Sequence, residues 1–250
     1  MFRTVGADNW FAWVACMQRS RRTLVTCLGV VALTLGTSSC LFKTASTGAD
    51  PENLSEQLLG VTDLESKWNE TQRQVFTDRG NENPSIDASM MCPEAKATAD
   101  TFANLAGDRG ADVEMEMKGV TAGAILLREQ AWSNENAKNF LAAVKEAVTL
   151  CDGKEWTDDM GVANSVAVLE DPKVGDDSVS WANESSPPAS VGKEKPSGVG
   201  RNMVTRIGDV VLVLQAGSYS VQNQGPLMSL EDWKVLVTRA FKKMDKVNWK

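Results

Sequence analysis

Five consecutive aliphatic residues, Val210 to Leu214, constrain the fold of this 250-residue chain more than any other feature. A strand in which every side chain is apolar is buried on both faces, so this one belongs in the interior of a sheet. It follows Gly208-Asp209, a two-residue turn with glycine in first position, and the extended segment Asn202 to Ile207. Turns of this kind join antiparallel strands. The segment therefore predicts a β-hairpin in the sheet interior.

A second β-hairpin is predicted in the middle of the chain. From Asp112 to Lys118 apolar and polar residues alternate without a break, which is typical of a strand with one buried and one solvated face. Gly119 to Gly123 provides the turn, and Ala124 to Trp132 provides the partner strand. Two further strands with less regular patterns are predicted at Val162 to Leu169 and at Ser178 to Ala182.

Helical periodicity occurs between and around these strands. The strongest run is Asn134 to Cys151, with Ser133 as its predicted cap and Gly153 as its stop signal. Two further helical segments are predicted before the first hairpin: Leu54 to Leu59, and a polar segment containing Leu64, Trp68 and Val75. Cys92-Pro93 opens another helix. A last helix is capped by Ser229 with Asp232, and its predicted inward residues are Leu230, Trp233, Val237, Ala240, Phe241 and Met244. This order predicts an α+β fold, a mainly antiparallel β-sheet with helices packed on it.

The N-terminal segment has the parts of a bacterial export signal. Arg19, Arg21 and Arg22 form a positive region, and Thr23 to Gly36 follows as an uncharged, mostly apolar run of 14 residues. A helix of that length spans about 21 Å, which is short of the ~30 Å hydrocarbon core of a bilayer. The run therefore predicts a signal peptide over residues 1–39 rather than a membrane span.

The apolar run leads into Cys40 through the small residues of the segment Gly36 to Ser39. This arrangement resembles the bacterial lipobox, in which the cysteine thiol takes a diacylglyceryl group and becomes the new N-terminus. One position departs from that pattern, because threonine stands where an aliphatic residue is preferred. The resemblance predicts lipidation at Cys40, a lipidated tether over residues 40–53 and a folded domain over residues 54–250.

Two features of this leader leave alternatives open. An ordinary secretory signal, cleaved nearby without lipidation, is the alternative to the lipobox. The segment Ser20 to Val25 also resembles the twin-arginine export pattern, so the export route is open between that system and the general one.

Met17 begins a compact signal of 23 residues before Cys40, and we expect it to be the true start.

Cysteine usage indicates one disulfide in the domain. Of the five cysteines, Cys16 and Cys27 lie in the leader and Cys40 lies at its end. Only Cys92 and Cys151 remain in the folded part. An even pair in an exported protein is typical of a disulfide, and two free thiols are the alternative.

Composition argues against several classes of function. The chain has no histidine, which removes the commonest general base and the commonest zinc ligand. Asp158-Asp159 and Asp176-Asp177 lack the ligand spacing of a calcium loop, so we interpret both as solvated turns. We therefore expect no metal, no cofactor and no catalytic residue, and serine chemistry with a lysine base is the remaining enzymatic alternative.

The charge balance argues against a nucleic-acid partner. The full chain has a net charge of −7, and the leader carries four arginines and one aspartate, so the chain from Cys40 onward has a net charge of about −10. Binding to nucleic acid requires a clustered basic face. The same balance means that a lipid, rather than a polybasic patch, is expected to hold the protein at the membrane.

The eight tryptophans include one candidate ligand-binding residue. Trp68, Trp132 and Trp233 lie on apolar stripes or at strand ends, and we interpret them as core residues. Trp181 lies within the segment Asp171 to Gly200, whose second part is rich in proline and glycine and predicts a mobile loop. We expect Trp181 to be exposed and this loop to border the ligand site and to order on binding; a surface insertion without a role is the alternative.

Three features together resemble the extracellular sensor domain of the mycobacterial serine/threonine kinase PknH and its stand-alone lipoprotein relatives. They are the helix start at Cys92-Pro93, the helix into Cys151 after Trp132-Ser133, and the hairpin Arg201 to Gln215 followed by a terminal helix. The resemblance covers roughly residues 54–246 and rests on element order and cysteine placement. It implies an α+β domain with a cleft between helices and sheet for an unidentified ligand.

The chain departs from that family in two ways. Members often carry a second disulfide towards the C-terminal half, which this chain cannot form, and no kinase segment is present. The sequence as a whole predicts a non-enzymatic, lipid-anchored sensor or ligand-binding protein at the outer face of the cytoplasmic membrane, within the cell envelope. Its expected partners are the membrane, a small-molecule or envelope ligand and a signalling protein. The alternative is a structural or assembly lipoprotein that binds other envelope proteins.

Overall fold

The structure is a computed structural model that describes residues 50–64, 67–77, 86, 91–105, 107, 109–121, 123–133, 135–159, 161–170, 172–186, 197–220 and 228–246. The predicted signal peptide and the predicted lipidation site at Cys40 lie outside these residues. Within the described part of the chain, no helix combines the length and the apolar character that crossing a bilayer requires.

Four α-helices and eight β-strands are formed by the described residues. The helices are α1 (Pro51–Gln57), α2 (Lys96–Asn104), α3 (Ala137–Cys151) and α4 (Leu230–Met244), and a short 3-10 turn, Pro93–Ala95, leads into α2. The strands are β1 (Trp68–Phe76), β2 (Gly110–Met117), β3 (Gly123–Ser133), β4 (Glu155–Thr157), β5 (Ala163–Val168), β6 (Asp177–Ser186), β7 (Ser197–Ile207) and β8 (Val210–Ser220).

All eight strands form one antiparallel sheet in the order β1-β2-β3-β8-β7-β6-β5-β4. Both predicted hairpins are confirmed as the pairs β2-β3 and β7-β8. The second turns at Gly208, whose φ of 60° lies in the left-handed region that favours glycine. The aliphatic run Val210 to Leu214 is buried throughout and occupies the sheet interior, as predicted.

Each face of the sheet has its own apolar core. On one face, here called the α1/α4 face, helices α1 and α4 pack over Leu127, Leu212 and Leu214. On the opposite face, here called the α2/α3 face, helices α2 and α3 pack over Trp132, Val211 and Val213. Successive residues of a strand point to opposite faces, which is why the aliphatic run of β8 contributes to both cores. The predicted α+β class, an antiparallel sheet covered by helices, is confirmed.

The predicted disulfide between Cys92 and Cys151 is present, with a Cα–Cα distance of 5.5 Å. It joins the residue before the 3-10 turn to the last residue of α3, and both cysteines are buried in the α2/α3 core. Gly153 follows α3 with a positive φ of 68°, in agreement with its predicted role as a stop signal. Ser229 also caps α4 as predicted, because its hydroxyl accepts a hydrogen bond from the Asp232 amide.

Two predictions about local structure are wrong. The polar segment around Trp68 and Val75 is the edge strand β1 rather than a helix, and Val75 is 39% exposed rather than part of an apolar stripe. The backbone of β1 pairs along the outer side of β2, a tertiary constraint that overrides the weak helical spacing. Ser133 is not the cap of α3, because it still pairs with Val210 in the sheet and the N-cap position is Asn136.

A third correction concerns the C-terminal half. The predicted strand Ser178 to Ala182 is confirmed as part of β6, but the segment from Asp171 to Gly200, predicted to be irregular elsewhere, also contains the rest of β6 and the first residues of β7. Within β6, Val179 and Trp181 pack in the α2/α3 core. Residues 187–196 of the predicted loop lie outside the described residues. Leu230, predicted to point inward, is 42% exposed at the first position of α4.

Candidate functional site

Polar side chains replace the apolar core on one part of the α2/α3 face. The register places Asn202 of β7 opposite Gln215 of β8, Gln215 opposite Arg128 of β3, and Arg128 opposite Glu114 of β2. These residues and their neighbours on the same face are here called the polar row. Its members are Asp112, Glu114, Arg128, Gln130, Asn183, Asn202 and Gln215. The row crosses five adjacent strands, from β2 to β6.

Three amides form one half of the polar row. The Asn202 side-chain nitrogen donates to Asn183 Oδ1 at 2.8 Å, and the Gln215 side-chain nitrogen donates to Asn202 Oδ1 at 3.2 Å. All three residues are buried. Because the bonds run from strand to strand, they fix the orientation of each amide relative to the next.

An ion pair forms the other half of the polar row. Asp112 Oδ2 accepts hydrogen bonds from Arg128 Nε at 3.0 Å and from Arg128 Nη2 at 2.7 Å, and it also accepts one from Gln130 Nε2. The Glu114 carboxylate lies 3.6 Å from the same guanidinium. Burial raises the pKa of Glu114 to about 7, against the opposing effect of Arg128. Arg128 therefore forms ion pairs with both Asp112 and Glu114.

Two acceptors in this half are unfilled. Asp112 Oδ1 and Gln130 Oε1 are buried, and neither has a hydrogen-bond partner among the described residues. Leaving a buried acceptor unpaired typically costs about 1–3 kcal/mol, and most proteins avoid it. Arg128, by contrast, keeps 24% of its side chain exposed. The row thus combines unfilled acceptors with a cationic group that solvent reaches.

Glycines adjoin the polar row on the same face. One residue pair beyond Asn202 and Gln215 on this face, Gly200 of β7 lies directly opposite Gly217 of β8. Because glycine has no side chain, neither strand adds side-chain atoms to this face of the sheet at the pair. Glycine weakens a strand interior, and it commonly marks a place where a ligand or another backbone approaches closely.

The structure contradicts the predicted exposure of Trp181, the candidate ligand-binding residue. The indole is only 1% exposed and packs in the α2/α3 core, because Trp181 lies on the face of β6 that these helices cover. Trp181 lies opposite Asn202 and so borders the apolar edge of the polar row. The Cys92–Cys151 disulfide lies in the same core.

Sequence reasoning missed the polar row. The alternation of β2 was interpreted as a strand with one wet face, but only Glu116 of the three acids on that face is exposed, while Asp112 is buried and Glu114 is largely covered. The available signal was the recurrence of amide and charged residues within or beside five predicted strands. Within the described ranges, no group of three or more acidic or cysteine side chains could hold a metal ion.

A different buried acid lies on the α1/α4 face. Glu129 is fully buried, and its Oε2 accepts a hydrogen bond from the Leu59 amide at 2.5 Å. The nearby cations bind the loop that follows α1 instead: Lys243 Nζ donates to Leu58 O and to Asp63 Oδ2, both at 2.6 Å, and Arg73 donates to Leu59 O at 2.5 Å. Burial raises the pKa of Glu129 to about 8.

Comparison with known proteins found several similar solved structures, including two mycobacterial proteins. One is the crystal structure of the extracellular domain of PknH from Mycobacterium tuberculosis, with a TM-score of 0.46 and 11% identity over 79% of this chain and 97% of that chain. The other is the X-ray structure of an uncharacterized protein of Mycobacterium smegmatis, the Rv0999 ortholog, with a TM-score of 0.42 and 10% identity over 73% and 91%. In both cases the similarity concerns the fold alone. No family model and no curated protein matches the chain.

Proposed function

We propose that this chain is a non-enzymatic, lipid-anchored ligand-binding protein of the cell envelope, and that the polar row holds its ligand. The observation that carries this proposal is the pair of unfilled buried acceptors, Asp112 Oδ1 and Gln130 Oε1, beside the partly exposed Arg128. A site that is built to receive hydrogen bonds is incomplete until a ligand supplies them.

The chemistry of the row indicates the class of ligand. Unfilled acceptors require hydrogen-bond donors, so the ligand carries hydroxyl or amine groups at that end. Asp112 and Gln130 offer these acceptors close together, because the two residues are paired across β2 and β3. Neither strand contributes a side chain to this face at the glycine pair Gly200 and Gly217, and such positions commonly mark a close approach of a ligand or another backbone. A polyhydroxylated or amine-bearing envelope component fits these requirements.

The anchor and the location belong to the same proposal. The lipobox-like segment supports attachment through Cys40, with the domain on the outer face of the cytoplasmic membrane. Helix α1 begins at Pro51, eleven residues after Cys40, so the connecting segment spans at most about 40 Å when fully extended. The domain would then stay close to the membrane, where an envelope ligand and a membrane-bound signalling partner are both within reach.

The test uses native mass spectrometry of the protein purified from its own host, with Cys40 replaced by alanine so that no lipid is attached. The variant Asp112→Asn keeps an oxygen for Arg128 and Gln130 but turns the unfilled acceptor into an N–H donor. We expect a retained small molecule in the wild-type domain and its loss in Asp112→Asn. Glu116→Gln is the matched control, because it makes the same chemical change at an exposed site on the same strand and face.

Two outcomes would contradict the proposal. One is a ligand that Asp112→Asn retains as well as the wild type, which would place the ligand elsewhere. The other is the absence of any bound molecule from wild-type protein isolated with and without added envelope extract. Circular dichroism of the variants shows whether each is folded before the binding result is read.

A further inference from the structure

The charges of the polar row do not balance. Its charged members are the two acids Asp112 and Glu114 and the one cation Arg128, whose guanidinium lies 2.7 Å from the first carboxylate and 3.6 Å from the second. The side chains of the two acids are 1% and 13% exposed, so water screens their charges only weakly. Glu116, exposed on the same face of β2, adds a further negative charge beside them. With Asp112 and Glu114 both ionised, the row therefore has an excess of one negative charge.

The groups around Glu114 leave this excess uncompensated. Arg128 faces Glu114 from β3 and the neutral Gln72 faces it from β1, while Asp112 and Glu116 lie before and after it on the same face of β2. In the described part of the chain, Arg128 is the only cation that forms an ion pair with Glu114. Burial is the main cause that raises the pKa of Glu114 to about 7; Arg128 opposes this effect and Asp112 adds to it. A proton on Glu114 therefore offsets the excess charge near neutral pH.

The excess charge lies beside the unfilled acceptors. Asp112 Oδ1 and Gln130 Oε1 are buried without a hydrogen-bond partner among the described residues, and the two residues are paired across β2 and β3. An ammonium group supplies both the donors that these oxygens lack and the positive charge that the row lacks. A hydroxyl group supplies donors alone, and an anionic group would compete with two acids for Arg128. The row therefore favours a cationic donor.

We propose that the polar row recognises a primary ammonium group of its ligand, which binds at Asp112 Oδ1 and Gln130 Oε1 and displaces the proton of Glu114. This inference rests on the proposed function, because it names the chemical group that the row selects. The ammonium nitrogen keeps its three protons, and the proton that leaves the Glu114 carboxyl passes to the buffer. The charge of the ligand replaces the charge of that proton, so binding strengthens as pH rises through the pKa of Glu114.

The test compares trans-4-aminocyclohexanol with trans-1,4-cyclohexanediol, which share a ring and a hydroxyl group and differ in one ammonium group. Each probe is titrated into the full chain from Cys40 onward, carrying Cys40→Ala, and binding is followed by NMR through the Nε–H resonance of Arg128. We expect the amine to bind more tightly at pH 8. If its charge lowers the pKa of Glu114 from about 7 to about 6, its affinity rises about tenfold between pH 5 and pH 8, whereas that of the diol does not.

Three variants locate the effect. Glu114→Gln should remove the rise with pH and reduce the preference for the amine, because it removes the titrating acid and keeps the size of the side chain. Asp112→Asn should weaken amine binding at both pH values, because it replaces an acceptor by a donor. Glu116→Gln is the matched control: it makes the same change as Glu114→Gln at an exposed position on the same strand and face, and it should keep the rise. Circular dichroism at pH 5 and pH 8 shows that each protein is folded.

Four outcomes would overturn the inference. They are a failure of the amine to bind, a diol that binds as tightly as the amine at pH 8, an amine affinity that does not rise with pH, and a Glu114→Gln variant that keeps the full rise. None of these outcomes contradicts the proposed function, which the native ligand and its dependence on Asp112 test separately. A native ligand that Asp112→Asn retains would contradict both.

Discussion

The two faces of strand β3 bury acids in opposite ways. Glu129 points to the α1/α4 face, while Arg128 and Gln130 on either side of it point to Asp112 on the α2/α3 face. Both acids leave one oxygen without a partner among the described residues. They differ in their cations, because Asp112 has Arg128 directly bonded to it, whereas Lys243 and Arg73 donate to backbone carbonyls beside Glu129.

This difference separates Glu129, which holds part of the fold together, from Asp112, which we propose to bind a ligand. Glu129 holds the loop after α1 through the Leu59 amide, and its pKa of about 8 keeps it protonated at neutral pH. A neutral buried acid is a structural element. Asp112 is instead half of an ion pair whose arginine reaches solvent, so charge and unfilled acceptors meet at one place. We therefore attribute a stabilising role to the first acid and propose a ligand-binding role for the second.

The largest expected effect concerns Glu129 and pH. Its pKa is about 8 in the folded state against an ordinary value of 4.5, so the folded state retains a proton that the unfolded state has lost. The contribution of Glu129 to stability is therefore fully present below pH 4.5 and is lost as pH rises through about 8, by up to about 5 kcal/mol. Glu129→Gln should abolish most of that fall and exceed the wild type in stability at pH 9. Urea unfolding at pH 5 and at pH 9 measures both.

The control for this prediction is Glu116→Gln, an exposed acid on the neighbouring strand, which should leave the pH dependence unchanged. Glu114 also has a raised pKa, of about 7, and contributes to the fall in the same direction but over a lower pH range. If Glu129→Gln kept the full decrease in unfolding free energy between pH 5 and pH 9, the structural role assigned to Glu129 would be wrong.

The disulfide should have the next largest effect, confined to the face of the polar row. It closes a loop with a sequence separation of 59 residues, for which the chain-entropy model gives roughly 4 kcal/mol. The double variant Cys92→Ala/Cys151→Ala should lose about this much in urea unfolding. Hydrogen exchange should increase in α2 and α3 while the loop bound by Lys243 keeps its protection. An equal increase on both faces would contradict the separation of the two cores.

Removing the cation of the polar row should have the smallest of the three effects. Arg128→Met leaves Asp112 buried without its partner, and breaking a buried ion pair costs about 3 kcal/mol at the lower end of the usual range. The partial exposure of Arg128 places it at that end. Lys96→Met, which breaks an exposed pair with Asp100, is the control and should change little. A cost for Arg128→Met as small as the control would mean that the pair is not effectively buried.

The sequence predicted the elements that local signals determine. The turn at Gly208 and the alternation that begins at Asp112 identify two hairpins without any tertiary information. The edge strand β1 was missed because Trp68 is its only buried residue, so its sequence shows no alternation of apolar and polar residues. Pairing with β2 stabilises this strand. The exposure of Trp181 was also predicted wrongly, because the predicted strand Ser178 to Ala182 does not by itself show that helices cover the face on which Trp181 lies.

Neither the polar row nor the burial of Glu129 could be predicted from the sequence, because both depend on the register of the strands. Asp112, Arg128 and Gln215 lie far apart in the sequence and meet only through the pairings β2-β3 and β3-β8. A shift of one residue in either pairing would send every one of these side chains to the opposite face. The alternation of β2 shows which residues share a face, but not whether a partner strand will bury them.

A high-resolution crystal structure of the protein purified from its own host tests the central claim most directly, namely that the polar row is completed by a ligand. We expect non-protein density against the α2/α3 face, with a hydrogen-bond donor within about 3.2 Å of Asp112 Oδ1 or Gln130 Oε1. If both oxygens instead accept hydrogen bonds from another segment of this chain, with no foreign molecule nearby, then the row is a structural network and the account is wrong.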